Sequence, residues 1–351
     1  MTVRGDRARL WRGIERGSIM SVAPNTAARP RLSIVIPAAD VTALEDTLVS
    51  VLENRPADAE IIVIPAMPYG DPWNIAEEVR FVPAPVGAGL VGCVNIGVAA
   101  SAGGVIHVLA GGWRATEGWT DRAVERFDDR SVGAVVPLGV SATDSDQMVC
   151  TGIRRTLGGR SRSLAPARRG ARLPRPSAPA LEAGFWRADV LAQAAGFSAA
   201  CGDANAAADM AALLACAGLD VVVEPASRIV WGPSRRRTSA FLAGLHAERL
   251  FWRSLAADAI VPALVAHAIE IVRHAAARAP LGTLPMLAGR LAAFVQFGSN
   301  MSRTRLLRDA QRQAAAANKD PAPRTLRIDA PHAFPAAPHV PAETAPLKRS
   351  A

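Results

Sequence analysis

The sequence predicts an α/β protein with a doubly wound, mostly parallel sheet flanked by helices and followed by a helical C-terminal extension. Two observations support this fold class. Short continuous apolar runs, such as 32–36 and 60–64, are typical of strands buried on both faces of a parallel sheet. Segments with helical periodicity alternate with these runs, which is the order of elements in a doubly wound fold.

Each predicted element has its own local signal. The strand at 32–36 ends at Pro37, and Thr42 and Glu45 then have the spacing of a capping box at the start of a helix. A late helix at 206–217 is ended by Gly218 and precedes a strand at 220–224. Between them the predicted strands are 79–82, 104–110 and 132–137, and the predicted helices are 90–100 and 117–127.

These elements divide the chain into segments of different character. Residues 1–30 are expected to be flexible, 31–238 to form the sheet domain, 239–318 to form the helical extension, and 319–351 to be a disordered tail rich in Pro and Ala. Periodicity disappears between 141 and 179, which predicts a long mobile loop rather than a packed element.

The formal net charge of +9 is largely local, because residues 151–176 hold eight arginines and no acidic side chain. Such a patch attracts anions, including nucleotide phosphates and acidic lipid headgroups; the alternative is a solvated flexible loop. Nucleic acid is not expected as a partner, since no aromatic residues that would stack on bases are interleaved with these arginines.

Cysteine usage and apolar segments bear on the compartment. The four cysteines, at 93, 150, 201 and 216, are widely spaced and form no C-x-x-C, so neither a disulfide framework nor a zinc site is expected. We predict a cytoplasmic protein. The apolar segment 281–297 carries a single charge and predicts peripheral contact with the inner face of the membrane, or packing on the sheet domain instead.

Over residues 31–253 the order of motifs resembles family 2 glycosyltransferases. The run from Leu32 to Pro37 is similar to the opening strand of that family, and 48–52 to its first helix. The resemblance implies a GT-A-like fold, a nucleoside-diphosphate sugar as donor, and a glycan or lipid-linked acceptor.

The resemblance also implies a donor site made of Pro37, Asp71, Asn95 and Gly97. Asn95 and Gly97 match a stretch where the family's chain passes close to the nucleotide, and glycine permits such an approach. Asp71 is the nearest substitute for acidic residues that hold the base and ribose in the family. Its alternative role is that of a turn residue, and a tight turn is the alternative for Gly97.

The family's metal motif is missing. An Asp-X-Asp should follow the strand that ends near Leu109 and hold Mg²⁺ or Mn²⁺, but the residues are Ala110, Gly111 and Gly112. No carboxylate lies between Gly103 and Arg114, so no metal ligand is assigned. Arginines of the 151–176 segment are the predicted replacement for the charge of the ion.

Asp209 lies where the family has Glu-Asp and is the candidate general base of an inverting transfer. Asp203 is a second candidate for the base. For either aspartate, the alternative role is that of a helix cap. Arg249 and Trp252 resemble the acceptor motif Gln-Arg-X-Arg-Trp, where the indole would stack on a sugar and the guanidinium would meet the diphosphate. Packing of Trp252 in the core is the alternative.

Two functions therefore remain open. One is an inverting glycosyltransferase with Asp209 as base. The other is a catalytically degenerate transferase fold that binds or scaffolds other subunits in polysaccharide assembly, because a fold does not guarantee its usual activity. Donor binding distinguishes them.

Overall fold

A computed structural model describes residues 30–145, 147–150, 152–165, 175–232, 238–255, 260–296 and 301–317. The predicted flexible N-terminal segment, the tail 319–351 and part of the arginine-rich segment lie outside the described residues. The predictions made for them stay predictions.

Nine strands of the described chain form one sheet, in the order β3-β2-β1-β4-β10-β6-β11-β5, with β7 paired to β6. The pairs β1–β2, β1–β4, β2–β3 and β6–β11 are parallel. A separate antiparallel hairpin consists of β8 and β9. The strands are β1 Leu32–Ala38, β2 Ala59–Pro65, β3 Arg80–Phe81, β4 Val105–Val108, β5 Arg114–Ala115, β6 Val132–Val140, β7 Met148–Cys150, β8 Ile153–Arg155, β9 Ser161–Ser163, β10 Phe185–Arg187 and β11 Asp220–Val230.

Helices cover both faces of this sheet, as the sequence predicted. The described helices are α1 Val41–Glu53, α2 Leu90–Ala100, α3 Asp121–Glu125, α4 Ala188–Gln193, α5 Ala206–Cys216, α6 Ala240–Arg253, α7 Ile260–Arg278, α8 Thr283–Val295 and α9 Met301–Ala317. Because apolar side chains alternate between the two faces of each strand, the sheet carries two cores. Ile34 and Ile36 face the core on the α1 side, and Val35 faces the core on the side of α2 and α5.

A short antiparallel strand divides the sheet. β10 lies between β4 and β6, with Phe185 opposite His107 on one side and Val135 on the other. It brings the segment that precedes it, including a 3₁₀ turn at Leu181–Ala183, next to the end of β4.

Two local predictions need correction. Helix α1 begins at Val41 with Asp40 as its N-cap, whose carboxylate accepts a hydrogen bond from Ala43 N at 2.8 Å. The capping box at Thr42 and Glu45 is therefore wrong, because both residues lie inside the helix. The second correction concerns 141–179, where the described part contains β7, β8 and β9 instead of a loop without regular structure.

The C-terminal extension consists of α6 to α9, as predicted. Within the described residues, one helix, α7, is long and apolar enough to cross a membrane. The tightest packing in the extension is between α6 and α8, where glycines allow the backbones to touch. A Cβ on Gly289 would lie 2.0 Å from Phe241 O, and one on Gly244 would lie 2.0 Å from Met286 O.

Candidate functional site

Ligands of parallel α/β sheets bind outside the carboxyl ends of the strands, which here are the ends of β1, β2 and β4. We call this region the carboxyl edge and mark it by Ala38, Ala66 and Ala110. Backbone hydrogen bonds hold the three strand ends together, since Ala66 N donates to Ala38 O at 2.8 Å and Gly111 N donates to Pro37 O at 2.9 Å. The predicted donor residue Pro37 thus lies at this edge, with its carbonyl already used.

The segment after β4 is packed against α1. A Cβ on Gly111 would lie 3.1 Å from Ala38 Cβ, and Gly112, with φ of 93°, donates from its backbone N to Ala43 O and to Thr47 Oγ1, each at 2.9 Å. A small residue is required at Gly111 because its backbone packs against Ala38 and the start of α1. The segment 111–112 therefore serves helix packing.

The divalent ion implied by the fold family does not fit these residues. No carboxylate stands at 110–112, and a Cβ on Gly111 would already lie 3.1 Å from Ala38 Cβ. Among the described residues there is also no group of three or more His, Cys, Asp or Glu side chains arranged to hold a metal ion. We derive no chemical step through a metal.

Asp71 closes a turn after β2. Its two carboxylate oxygens accept hydrogen bonds from Ile75 N at 3.2 Å and from Ala76 N at 3.1 Å, and its φ is 45°. Aspartate tolerates this left-handed conformation better than most residues. The turn role named as the alternative is present, and contact of Asp71 with a donor stays a prediction.

Asn95 and Gly97 join α2 to its surroundings. The Asn95 amide donates from Nδ2 to Phe197 O and accepts from Phe197 N, both at 2.8 Å. A Cβ on Gly97 would lie 2.2 Å from Val35 Cγ1, so only glycine lets α2 pack this closely on β1. These internal contacts account for both residue types, and their predicted donor contacts stay untested.

Asp209 lies inside α5 and is only 2% exposed. Its carboxylate accepts from Arg253 Nε at 3.0 Å and Arg253 Nη2 at 3.2 Å, and Arg303 Nη2 lies 3.0 Å from Oδ2. Arg303 also donates to the Asp209 carbonyl at 2.9 Å. Two guanidinium groups thus surround this one carboxylate and tie α5 to α6 and α9.

The predicted acceptor residues of α6 make internal contacts as well. Arg249 donates from Nη1 to Ala200 O at 3.0 Å and from Nη2 to Gln296 Oε1. Trp252 donates from Nε1 to Glu248 Oε1 at 2.8 Å, and its ring contacts Phe251 and Phe294. Packing, the alternative stated for Trp252, is present, and the acceptor role stays a prediction.

Arginines of the β8–β9 hairpin point to the helical extension. Arg155 Nη1 donates to Ser254 Oγ at 3.3 Å, while Arg160 and Arg162 pair with Glu270 of α7 at 3.4 and 3.1 Å. Arg160 and Arg162 thus bind α7, and Arg154 donates to Arg175 O at 3.2 Å within the segment. The predicted closure of the arginines over a diphosphate stays a prediction. Residues 166–174 lie outside the described part of the chain.

Glu182 is the acidic residue at the carboxyl edge that the motif pattern missed. Its carbonyl accepts a hydrogen bond from Ala110 N at 2.8 Å, so Glu182 lies beside the first position of the missing metal motif. Burial raises the pKa of its carboxyl, and the charge of Asp203 adds to that rise. The sequence marks Glu182 only weakly, as a single carboxylate in an apolar run that precedes a buried strand.

Asp203 lies near Glu182 and caps α2 from a distant part of the chain. Its carboxylate accepts from Leu90 N at 2.9 Å and from Val91 N at 3.0 Å. His246 packs against Gly202, where a Cβ would lie 2.3 Å from His246 Nδ1. Burial lowers the pKa of His246, Arg249 lowers it further and Asp203 opposes them.

The structure thus separates the predicted residues into two groups. Pro37 lies in β1 and Asp71 follows β2, whereas Asp203 and Asp209 lie in the segment 199–209, and Arg249 lies in α6, which packs on that segment. Within the segment, the Asp209 carboxylate lies 4.0 Å from Cys201 Sγ.

No protein-family model and no curated protein sequence matches this chain. Among solved structures, residues 1–349 of S. aureus TarS in complex with UDP-GlcNAc are similar to it, with a TM-score of 0.50 and 11% identity over 83% of this chain and 92% of that one. A longer S. aureus TarS structure has a TM-score of 0.50 and 10% identity over 82% of this chain and 55% of that one. The mannosyltransferase PcManGT from Pyrobaculum calidifontis, in complex with GDP-Man and Mn²⁺, has a TM-score of 0.48 and 16% identity over 91% and 95%.

The likeness to TarS shows the fold. The chain has a GT-A-like glycosyltransferase fold, with a large, mostly parallel sheet flanked by helices. The fold class and the GT-A-like architecture predicted from the sequence are confirmed.

Proposed function

We propose that this protein transfers a sugar from a nucleoside-diphosphate donor, bound at the carboxyl edge, to a glycan or lipid-linked acceptor. The observation that carries the proposal is the placement of Glu182, a carboxyl group with a raised pKa, beside Ala110 at that edge of a GT-A-like sheet. A raised pKa brings a carboxyl group closer to the range in which it exchanges protons during catalysis. The complex of TarS with UDP-GlcNAc supports the donor class.

Inversion at the sugar requires a base that takes the proton of the acceptor hydroxyl. Glu182 is our first candidate, because its side chain makes no ion pair in the described structure. Asp209, the base predicted from the sequence, is our second candidate. It would have to leave two guanidinium groups before it reached an acceptor.

The leaving diphosphate needs positive charge, which positioned cations supply effectively in a site that excludes water. Arg114 is the first charged side chain after the Ala-Gly-Gly segment, and it is exposed on β5. We therefore assign to Arg114 the neutralisation of the diphosphate, in place of the hairpin arginines that bind Glu270.

The test begins with calorimetry of the purified protein against UDP-, GDP- and dTDP-sugars, each with and without Mn²⁺. For a donor that binds, release of the nucleoside diphosphate is measured for the wild type, Glu182→Gln and Asp209→Asn. We expect Glu182→Gln to lower the rate roughly a hundredfold or more while thermal stability is unchanged. Glu125→Gln, at an exposed glutamate of α3, is the matched control and keeps the wild-type rate.

The outcome of the comparison assigns the base. Loss of activity in Asp209→Asn at a temperature where circular dichroism shows the variant to be folded, together with an active Glu182→Gln, would transfer the role to Asp209. Arg114→Gln is expected to weaken donor binding roughly tenfold, in line with the loss of one charge-assisted contact.

A second function is favoured by a specific observation. The segment 110–112 packs on α1, and Asp71, Asn95 and Asp209 all make internal contacts that explain them without a ligand. A protein that keeps the fold for scaffolding in polysaccharide assembly would show this pattern. If no donor binds under any of the calorimetric conditions, this second function replaces the first.

A further inference from the structure

Helix α7 turns polar side chains toward the protein and large apolar side chains toward solvent. The side chains that face the protein are Ala263, His267 and Glu270, all buried. The opposite side of the helix is apolar and faces solvent, with Val261 72%, Val265 58% and Val272 68% exposed. In an ordinary surface helix the apolar stripe faces the core and the polar stripe faces water.

Helix α8 also exposes large apolar side chains. Its buried side consists of Met286, Gly289, Arg290 and Ala293, and its exposed side carries Leu284, Leu291 and Val295. Because α8 is held on α6 by backbone contact at Gly244 and Gly289, its apolar side cannot turn inward without breaking that contact. Large exposed apolar patches on soluble proteins mark interaction sites.

The polar groups on the inner side are paired with one another. Glu248 of α6 accepts from Arg290 Nη1 at 2.7 Å and lies 3.1 Å from His267 Nε2. Burial alone would raise the pKa of Glu248, but its hydrogen bonds from His267 and Arg290 outweigh burial and lower it. His274, 3.2 Å from Arg290 Nη2, has its pKa lowered to about 4 by burial and by that guanidinium. The inner stripe is satisfied, whereas none of the described residues covers the outer apolar face.

Charge around the apolar face favours an anionic partner. Arg160, Arg162 and Arg273 all pair with the single carboxylate of Glu270, at 3.4, 3.1 and 3.6 Å. Arg278 lies in the last turn of the same helix. Three guanidinium groups thus share one carboxylate, and Arg273 and Arg278 are the cations that α7 itself carries. A helix that combines exposed apolar side chains with such cations binds acidic headgroups.

The dimensions favour lying in a membrane surface over crossing it. With 13 residues, α8 is about 20 Å long, which is shorter than the ~30 Å hydrocarbon core of a bilayer. Helix α7 is long enough to cross the bilayer, but His267 and Glu270 fix its inner side to α6 and the β8–β9 hairpin. Only its outer side is therefore free to contact lipid. We call the exposed sides of α7 and α8 together the α7–α8 face.

We propose that the α7–α8 face inserts into the headgroup–acyl boundary of a membrane that contains anionic lipids, with Arg273 and Arg278 at the headgroups. This goes beyond the peripheral contact expected from the sequence for 281–297 and the attraction of acidic headgroups expected for the arginines of 151–176. It is independent of the proposed sugar transfer.

The test is flotation of the full chain with vesicles of phosphatidylcholine, with and without phosphatidylglycerol. We expect wild-type protein to float with the anionic vesicles. The double variant Val265→Asp/Leu284→Asp should bind the anionic vesicles at least roughly tenfold more weakly than the wild type, because it places two charges in the inserted face.

The variant Arg273→Gln/Arg278→Gln tests the contribution of charge. It should bind neutral vesicles as the wild type does and lose most of the preference for phosphatidylglycerol. The matched control is Val86→Asp, an exposed valine in the sheet domain, and it should float normally.

Two results would overturn the proposal. One is wild-type protein that stays unbound with both kinds of vesicle. The other is a dimer in solution, measured by light scattering, that Val265→Asp/Leu284→Asp converts to monomer while vesicle binding is unaffected; the face would then belong to a second copy of this chain. Unchanged circular dichroism and melting temperature of the double variant exclude misfolding as the cause of lost binding.

Discussion

His107 shows how one buried side chain makes stability depend on pH. It lies in β4, fully buried and stacked on Phe185 with ring centroids 3.8 Å apart. Burial lowers its pKa from 6.5 to about 3, although its hydrogen bond to Gly184 O opposes the shift. Between these values the unfolded chain binds a proton that the folded chain does not, so the free energy of unfolding falls as the pH drops, by about 1.4 kcal/mol per pH unit.

We therefore expect His107→Phe to remove this component of acid sensitivity. Phenylalanine keeps the stacking, and Gly184 O keeps its bond from Val108 N. The measurement is urea denaturation of both proteins above the upper pKa and midway between the two values. Equal losses of stability on acidification in the wild type and the variant would contradict the assignment.

At the scale of elements, Asp203 holds the start of α2 from 113 residues away in the chain. It accepts two backbone N–H groups there, whereas Asp40 accepts one at the start of α1. We expect Asp203→Ala to destabilise the protein by about 1–2 kcal/mol and Asp40→Ala by about 1 kcal/mol, the usual range for lost helix caps. Thermal and urea unfolding measure both, and Asp203→Asn should recover part of the loss. If Asp203→Ala were neutral, the cap would not contribute to stability.

At the scale of the whole molecule, the cluster of Asp209, Arg253 and Arg303 joins the sheet domain to the extension through α5, α6 and α9. Asp209→Asn would leave two buried guanidinium groups without their counterion. We expect a loss of about 3–5 kcal/mol, as for other buried pairs from which one partner is removed. Urea denaturation gives the value, and limited proteolysis should show faster cleavage of the extension.

Asp121→Asn, at an exposed aspartate of α3, is the control and should behave like the wild type. A fully stable Asp209→Asn variant would show that the cluster does not hold the extension in place. Because this prediction concerns stability and the base prediction concerns rate, the two are read separately from the same variant.

Local patterns were sufficient for several elements of this fold. Apolar runs predicted β1 and β2, helical periodicity predicted α1 and α5, and Gly218, with φ of 66°, follows α5 as expected. Patterns failed where two residues could each cap the same helix. At the start of α1, the sequence pattern favoured Thr42, but Asp40 is the cap. They also failed for β8 and β9, whose residues are polar and basic and whose order comes from contact with α6 and α7.

By itself, the sequence determined the α/β class, the order of the main elements and the helical extension, because these follow from neighbours along the chain. Only the tertiary structure decided what the candidate side chains touch. Asn95 meets Phe197, Asp203 meets Leu90 and Asp209 meets Arg303, across 102, 113 and 94 positions of sequence. The tertiary structure likewise placed Glu182 at the carboxyl edge and turned the apolar sides of α7 and α8 outward, because residues of distant segments compete for the same buried space.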